Sequence, residues 1–198
     1  MADIRWHNIP MVSGMPGKTP SPTLQHEIGK KRPFDLAEQE AHLNVLRTAA
    51  CLARNFERLF RAHGLSEATY NALRIIRGHC AGAKPDEKSG EGGVPSQTIG
   101  KQLIAEVPDV TRLIDRLVAS EPPLVERSRV EHDRRVVMVR ITKAGLDVLA
   151  RLDKSVRELH VRQLGHMSRR ELEQLSELLV KARAFRSSLP EAAGRGER

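Results

Sequence analysis

The residues best suited to chemistry lie between positions 109 and 118, where apolar and polar side chains alternate with the period of a helix. The apolar residues recur at steps of three and four and define one buried stripe: Val110, Leu113, Ile114, Leu117 and Val118. A helix that buries this stripe presents its polar residues on the other face: Thr111, Arg112, Asp115 and Arg116. Because arginine can donate two hydrogen bonds to guanine or bind a phosphate, Arg112 and Arg116 suit the major groove of DNA, and Thr111 suits a phosphate or a thymine methyl group. A solvated surface, with Arg116 paired to Asp115, is the alternative interpretation.

Three further polar residues stand near predicted helix starts. Asp109 precedes the helix just described and is interpreted as a cap or first-turn residue rather than as a reader of bases. Ser96 and Thr98 stand at the start of a short predicted helix, 97–104, where hydroxyl groups and free amides can hold a phosphate. Capping alone also explains Ser96.

A charged link joins two predicted strands, 124–130 and 136–141. It reads Glu131-His132-Asp133-Arg134-Arg135, and such a run suits a loop that lies along a polyanion better than a loop that enters a core. Arg134 is predicted to contact a phosphate. A solvated turn is the alternative.

Amphipathic helices on both sides must position these residues. Apolar spacing predicts a long helix from about residue 35 that stops at Gly64, and a second helix, 66–78, capped by Ser66. Thr142 is predicted to cap the helix after the strands, and Ser168 with Glu171 forms a capping box for the last one. Two short helices followed by a hairpin are the layout of a winged helix-turn-helix. The predicted fold is therefore mainly α with a small β-hairpin.

The flanking long helices carry apolar faces that one small winged domain cannot fully cover, which predicts a helical dimerisation region built from both chain ends. Residues 1–33 mix prolines with Gly, Ser and Thr and end in a basic run, which predicts a flexible tail. The predicted organisation is the tail 1–33, the dimerisation region 34–65 and 143–189, the winged helix-turn-helix domain 66–142, and a disordered tail 190–198.

Composition narrows the class of protein. The chain has 198 residues with 33 Lys and Arg against 25 Asp and Glu, a net charge of +8 that favours a polyanionic partner. No apolar run reaches the roughly 18 residues that a membrane span needs, so we expect no membrane association. The two cysteines are too few for a disulfide framework, which fits a reducing, cytoplasmic location.

Four stretches of the middle segment resemble the MarR family of bacterial transcription regulators. They are PDVTRLIDRL at 108–117, LVER at 124–127, DRRV at 133–136 and VRITKAG at 139–145. The likeness covers about residues 36–186, and its most specific part is Asp-x-Arg leading into a strand and then Thr-x-x-Gly. This chain departs from the family pattern in its long N-terminal tail, in the length of the loop 81–95 and in Glu121-Pro122-Pro123, which stands where many relatives have a glycine turn.

The resemblance implies a homodimer that binds a near-palindromic operator in double-stranded DNA. It places Arg135 in the minor groove, where narrow A·T-rich stretches attract arginine, with Asp133 as the support of this wing arginine. It also implies a repressor that a small-molecule ligand relieves. A winged module that binds DNA without reading sequence, or that binds protein, is the alternative.

The remaining candidates are ligand and redox sites. Some relatives bind small aromatic acids in a cleft beside the dimerisation helices, and Phe56, Phe60 and Tyr70 either line such a cleft or form ordinary core. Cys51 is interpreted as a structural thiol, and Cys80 as the more accessible one. No catalytic constellation, cofactor fingerprint or metal-ligand spacing is present in the sequence, so we expect neither an enzyme nor a bound cofactor or metal.

Overall fold

A computed structural model describes residues 22–80, 93–129 and 136–187 of the chain. The helices are α1 Leu24–Glu27, α2 Ala37–Arg61, α3 Glu67–Cys80, α4 Ser96–Gln102, α5 Val110–Val118, α6 Lys143–Leu164 and α7 Arg169–Arg183, followed by the 3₁₀ helix Ala184–Ser187. The strands are β1 Val94–Pro95, β2 Val125–Arg129 and β3 Val137–Ile141. Mostly helical with a small sheet, this architecture confirms the predicted fold class.

The described residues fall into two compact units, which are divided between Ala50 and Cys51. The first unit holds α1 and the first part of α2, and an ion pair joins the Arg47 Nε to the Glu27 Oε2 at 3.4 Å. The Lys30 ammonium lies 5.1 Å from the centre of the Phe34 ring and donates to the backbone carbonyls of Arg32 and Pro33. The composition of the N-terminal segment does not predict this local order, because α1 is a single turn with no periodic signal.

The sheet is three-stranded and antiparallel in the order β1-β3-β2, which corrects the prediction of a two-stranded hairpin. Val94 pairs with Val139 on one side of β3, and Arg127 pairs with Val139 on the other. Strand β1 has two residues, too few to show alternation, and its Pro95 lacks an N–H, which restricts it to an edge strand. The sequence signal for β1 is therefore weak, and the pairing with β3 creates it.

The core of the second unit lies between the sheet and helices α3 to α6. Its fully buried side chains come from nearly every element: Leu73, Ile76, Val94, Ile99, Ile114, Leu117, Val125, Val139, Leu149 and Leu152. Burial of the predicted α5 stripe is confirmed at its centre, where Leu113, Ile114 and Leu117 are buried, while Val110 and Val118 at its ends are half-buried. The core therefore fixes which face of α5 points outward.

Hydrogen bonds at the helix starts confirm three predicted caps and correct a fourth. The Thr69 N–H donates to the Ser66 Oγ at 3.2 Å, the Gly145 N–H donates to the Thr142 Oγ1 at 3.1 Å, and Ser168 forms the predicted capping box. Helix α4, however, begins at Ser96 itself, with Pro95 at the N-cap and no side-chain cap bond. It ends at Gln102, earlier than predicted, because the Leu103 backbone is already extended.

Helix α7 contains no buried residue. Leu178, Val180 and Phe185, in α7 and the turn that follows it, are more than half exposed. Within the described ranges, no helix combines the length and the apolar character needed to cross a membrane.

Candidate nucleic-acid interface

Helices α4 and α5 form the two arms of a helix-turn-helix and approach each other closely at Gly100. A Cβ atom at this position would lie 2.8 Å from the Val110 Cγ2, so only glycine fits without a shift. In the turn between the helices, the Ile104 N–H donates to the Asn71 Oδ1 on α3 at 3.0 Å. These contacts tie the turn to the core of the second unit and so fix the direction of α5.

Asp109 caps helix α5. Its Oδ1 accepts a hydrogen bond from the Arg112 backbone N–H at 3.0 Å, and its Oδ2 lies 3.3 Å from the Arg112 Nε. This geometry supports the interpretation of Asp109 as a cap rather than as a reader of bases, since both oxygens face its own helix.

The outer face of α5 carries the four polar residues that the helical period predicts, and all four are exposed: Thr111, Arg112, Asp115 and Arg116. The Arg112 side chain is 80% exposed despite its contact with Asp109. An ion pair this exposed is worth little, at most about 1 kcal/mol, so it does not prevent the guanidinium from binding another group. This face of α5 is therefore accessible to a partner as large as double-stranded DNA.

Arg127 on strand β2 contacts this face, and sequence reasoning did not single it out. Its Nη2 lies 2.6 Å from the Asp115 Oδ1 and donates to the Thr111 backbone carbonyl at 3.1 Å. The observed partner of Asp115 is thus Arg127, not Arg116 as the alternative interpretation has it. The one available signal is that Arg127 follows Val125 by two residues, which places both on one face of a strand.

A groove of about 230 Å³ runs between α5 and the sheet. It is lined by Ser96, Thr111, Ile114, Arg127, Ser128 and Val137. The structure thus brings Ser96 beside the outer face of α5, which we call the recognition face, whereas Thr98 is half-buried on α4 and does not line the groove. Asp133, Arg134 and Arg135 lie outside the described residues, so their predicted roles stay predictions.

The three candidate cleft residues stack on one another. Ring centres lie 5.8 Å apart for Phe56 and Phe60 and 4.2 Å apart for Phe60 and Tyr70, while His160 lies 4.8 Å from Phe56. Phe60 and Tyr70 are buried, and burial raises the pKa of the Tyr70 hydroxyl against the opposing charge of Arg74. In the single chain these rings belong to the core, and a ligand cleft beside them stays a prediction.

The two cysteines differ from the sequence interpretation in their exposure. Cys51 is exposed on α2, so packing within the single chain does not support a structural role, and Cys80 is half-buried. Among the described residues, no group of three or more His, Cys, Asp and Glu side chains is arranged to hold a metal ion.

The chain is similar to several regulators of known structure or function. A MarR transcription factor from Planctomyces limnophilus is 38% identical, with a TM-score of 0.53 and coverage of 74% of this chain and 98% of that one. Bordetella bronchiseptica BpsR, whose DNA binding is regulated by 6-hydroxynicotinic acid, shares the fold at 21% identity and a TM-score of 0.58, over 73% of this chain and 98% of that one.

A curated relative supports the same assignment. The HTH-type transcriptional repressor IacR from Pseudomonas putida is 26% identical over 126 residues, 64% of this chain and 67% of that protein. No model of a protein family matches the sequence. The helix-turn-helix, the three-stranded sheet and the relative that is 38% identical over nearly its whole length lead to one conclusion. The chain belongs to the MarR family of transcription regulators.

Proposed function

We propose that the protein is a homodimeric repressor that binds a near-palindromic operator and is released from it by a small aromatic acid. The observation that carries the proposal is helix α5, which is capped by Asp109, buried along one side and open along the other. On the open side, Arg112, Arg116 and the Thr111 hydroxyl are exposed and would enter a major groove.

Further contacts would extend this interface. Ser96 and Thr98 near the start of α4 would meet a phosphate. Arg135, held by Asp133, would enter the flanking minor groove, and Arg134 would meet a phosphate beside it. In a two-fold dimer, the two copies of α5 would enter major grooves about 34 Å apart, one turn of DNA.

Dimerisation is supported by the exposed apolar residues of α7. On the apolar stripe of α7, Leu178 is 63% exposed, and Leu172, Leu175 and Leu179 are only half-buried. A helix with an apolar stripe and no buried residue needs a covering surface, and a second copy of the chain offers the same stripe.

Replacing Leu178 by glutamate is expected to weaken this dimer about a hundredfold or more, since burying a leucine is worth roughly 1.5–3 kcal/mol and a two-fold dimer loses two of them. Sedimentation over a range of protein concentrations would measure the change in dimer dissociation. Ser176→Glu, at an exposed residue on the side of α7 opposite Leu178, adds the same charge and should leave the dimer intact. Equal dissociation of both variants and wild type would show that α7 lies outside the interface.

Repression and its relief by a ligand are supported by the relatives. One is a named repressor, and the DNA binding of another responds to a hydroxylated pyridine carboxylic acid. A ligand acts in this way when it binds better to a dimer whose recognition helices are wrongly spaced, because it then shifts the population away from the DNA-binding form.

The test is binding to DNA from upstream of the protein's own gene, in the presence of excess competitor DNA. We expect binding that resists the competitor and weakens when 6-hydroxynicotinic acid is added. If the protein does not bind this DNA specifically, selection of binding sites from a pool of random duplexes shows whether another operator exists. If specific and competitor DNA then bind equally well, with a steep salt dependence of about 0.9 per phosphate contact, the chain is an architectural module instead.

A further inference from the structure

The outer surface of α5 is divided into two columns of side chains. Residues four apart on a helix lie on the same side, one turn apart. Thr111 and Asp115 therefore form the first column, and Arg112 and Arg116 form the second. The first column faces strand β2, because Arg127 contacts both of its members. The second column has no contact with β2 among the described hydrogen bonds and ion pairs, and it is the arginine column that the proposed function assigns to DNA.

Arg127 reaches this position because of strand geometry. Alternate residues of β2 share a face, so Arg127 lies on the same side of the sheet as Val125, whose side chain is fully buried. Its register partner Val139 is equally buried, and this side of the sheet packs towards α5. Arg127 therefore stands at the outer edge of the core, where a long side chain can span from the sheet to the helix.

Both contacts are made by one nitrogen atom. The Arg127 Nη2 lies 2.6 Å from the Asp115 Oδ1 and 3.1 Å from the carbonyl oxygen of Thr111, so it joins two successive turns of the helix to the strand. The Arg127 side chain is 31% exposed and that of Asp115 54%, so the pair is only partly screened by water. Charge-assisted hydrogen bonds in such a place hold geometry well because they are short and directional.

We infer that Arg127 is a positioning residue that holds strand β2 against helix α5 and so fixes the spacing between the recognition helix and the sheet, with Asp115 as its partner. The inference rests on the proposed function. Asp115, although it lies on the recognition face, serves the fold of the interface and does not read bases. Loss of either partner lets the helix and the sheet shift relative to each other, which misaligns two elements that must meet the DNA together.

The direction in which DNA affinity changes on substitution of Asp115 distinguishes a positioning role from a general electrostatic effect. Removing the negative charge of Asp115 should strengthen DNA binding if only the electrostatic field matters. If Asp115 positions Arg127, then Asp115→Ala and the isosteric Asp115→Asn should both weaken binding, the alanine variant by about tenfold, the upper end for coupled residues of this kind.

The experiment measures affinity for the tightest duplex recovered by selection, with a double-mutant cycle of Asp115→Ala and Arg127→Ala. Each single change should weaken binding about tenfold and the double change little more, because the second removes a partner already lost. Arg140→Ala is the control: it removes one positive charge from the opposite face of the sheet, where Arg140 pairs in register with Glu126. Its effect should stay within about twofold.

Amide hydrogen exchange of the free protein gives a second measurement that needs no DNA. Asp115→Ala and Arg127→Ala should each speed amide exchange in β2 and at the start of α5, whereas Arg140→Ala should not. This readout stands even if the wild type shows no sequence preference, which would overturn the proposed function alone. Tighter binding by Asp115→Ala, with an Arg127→Ala salt slope reduced by about 1.8 (about 0.9 for each subunit of the dimer), would overturn the inference and make Arg127 a direct phosphate contact. Additive losses with unchanged exchange would overturn it as well.

Discussion

Replacing Gly145 by alanine is expected to lower the free energy of unfolding by about 3 kcal/mol, the upper part of the range for overpacked sites. A Cβ atom at this position would lie 2.3 Å from the Leu124 carbonyl oxygen and 2.8 Å from the Ile141 Cγ1. The carbonyl cannot move away freely, because it also accepts a hydrogen bond from the Thr142 N–H at 3.1 Å. For a chain of this length the change corresponds to a fall in melting temperature of roughly 6–12 °C.

Gly78 offers the matched control. It lies in helix α3, and a Cβ atom there would meet nothing within 4 Å. Gly78→Ala should therefore be neutral or stabilise by roughly 0.5–1 kcal/mol, because alanine is the better helix former. Thermal unfolding followed by circular dichroism compares the two. Equal melting temperatures would show that the start of α6 tolerates a side chain and that this part of the Thr-x-x-Gly motif has another role.

The second large effect is expected at Arg112. A good arginine contact to a base is worth about 1–3 kcal/mol, and a dimer loses two of them, so Arg112→Ala should weaken operator binding about 30-fold or more. The loss should be concentrated on the specific site, since a base contact contributes to sequence preference. Titration of specific and scrambled duplexes at one salt concentration measures both effects.

Arg169→Ala is the control for this change. Arg169 is an exposed arginine that pairs with Glu173 on its own helix at 2.9 Å, much as Arg112 pairs with Asp109. The control removes the same charge, and binding should change by no more than the loss of general attraction, about twofold. An Arg112→Ala variant that loses affinity equally for both duplexes would place Arg112 on a phosphate instead of a base.

Features whose causes lie within a few neighbouring residues could be predicted from the sequence. The apolar stripe of α5 predicts its buried and open faces because helical spacing repeats within a few residues. The caps at Ser66, Thr142 and Ser168 follow from a side chain that bonds a backbone N–H three residues away. The Thr-x-x-Gly motif is recognisable in the sequence, but the reason for its glycine is not. The backbone carbonyl of Leu124, which is distant in the sequence, packs against Gly145 and leaves no room for a Cβ atom.

Features that depend on residues distant in the sequence follow from tertiary contacts instead. Strand β1 exists because Val94 pairs with Val139. Asp115 pairs with Arg127, and not with Arg116 as the alternative interpretation has it, because β2 packs beside α5. The position of Ser96 beside the recognition face likewise depends on how α4 meets α5 and the sheet. Local sequence patterns account for single helical turns and caps. Which side chain a residue such as Asp115 pairs with depends on which elements the buried core brings together.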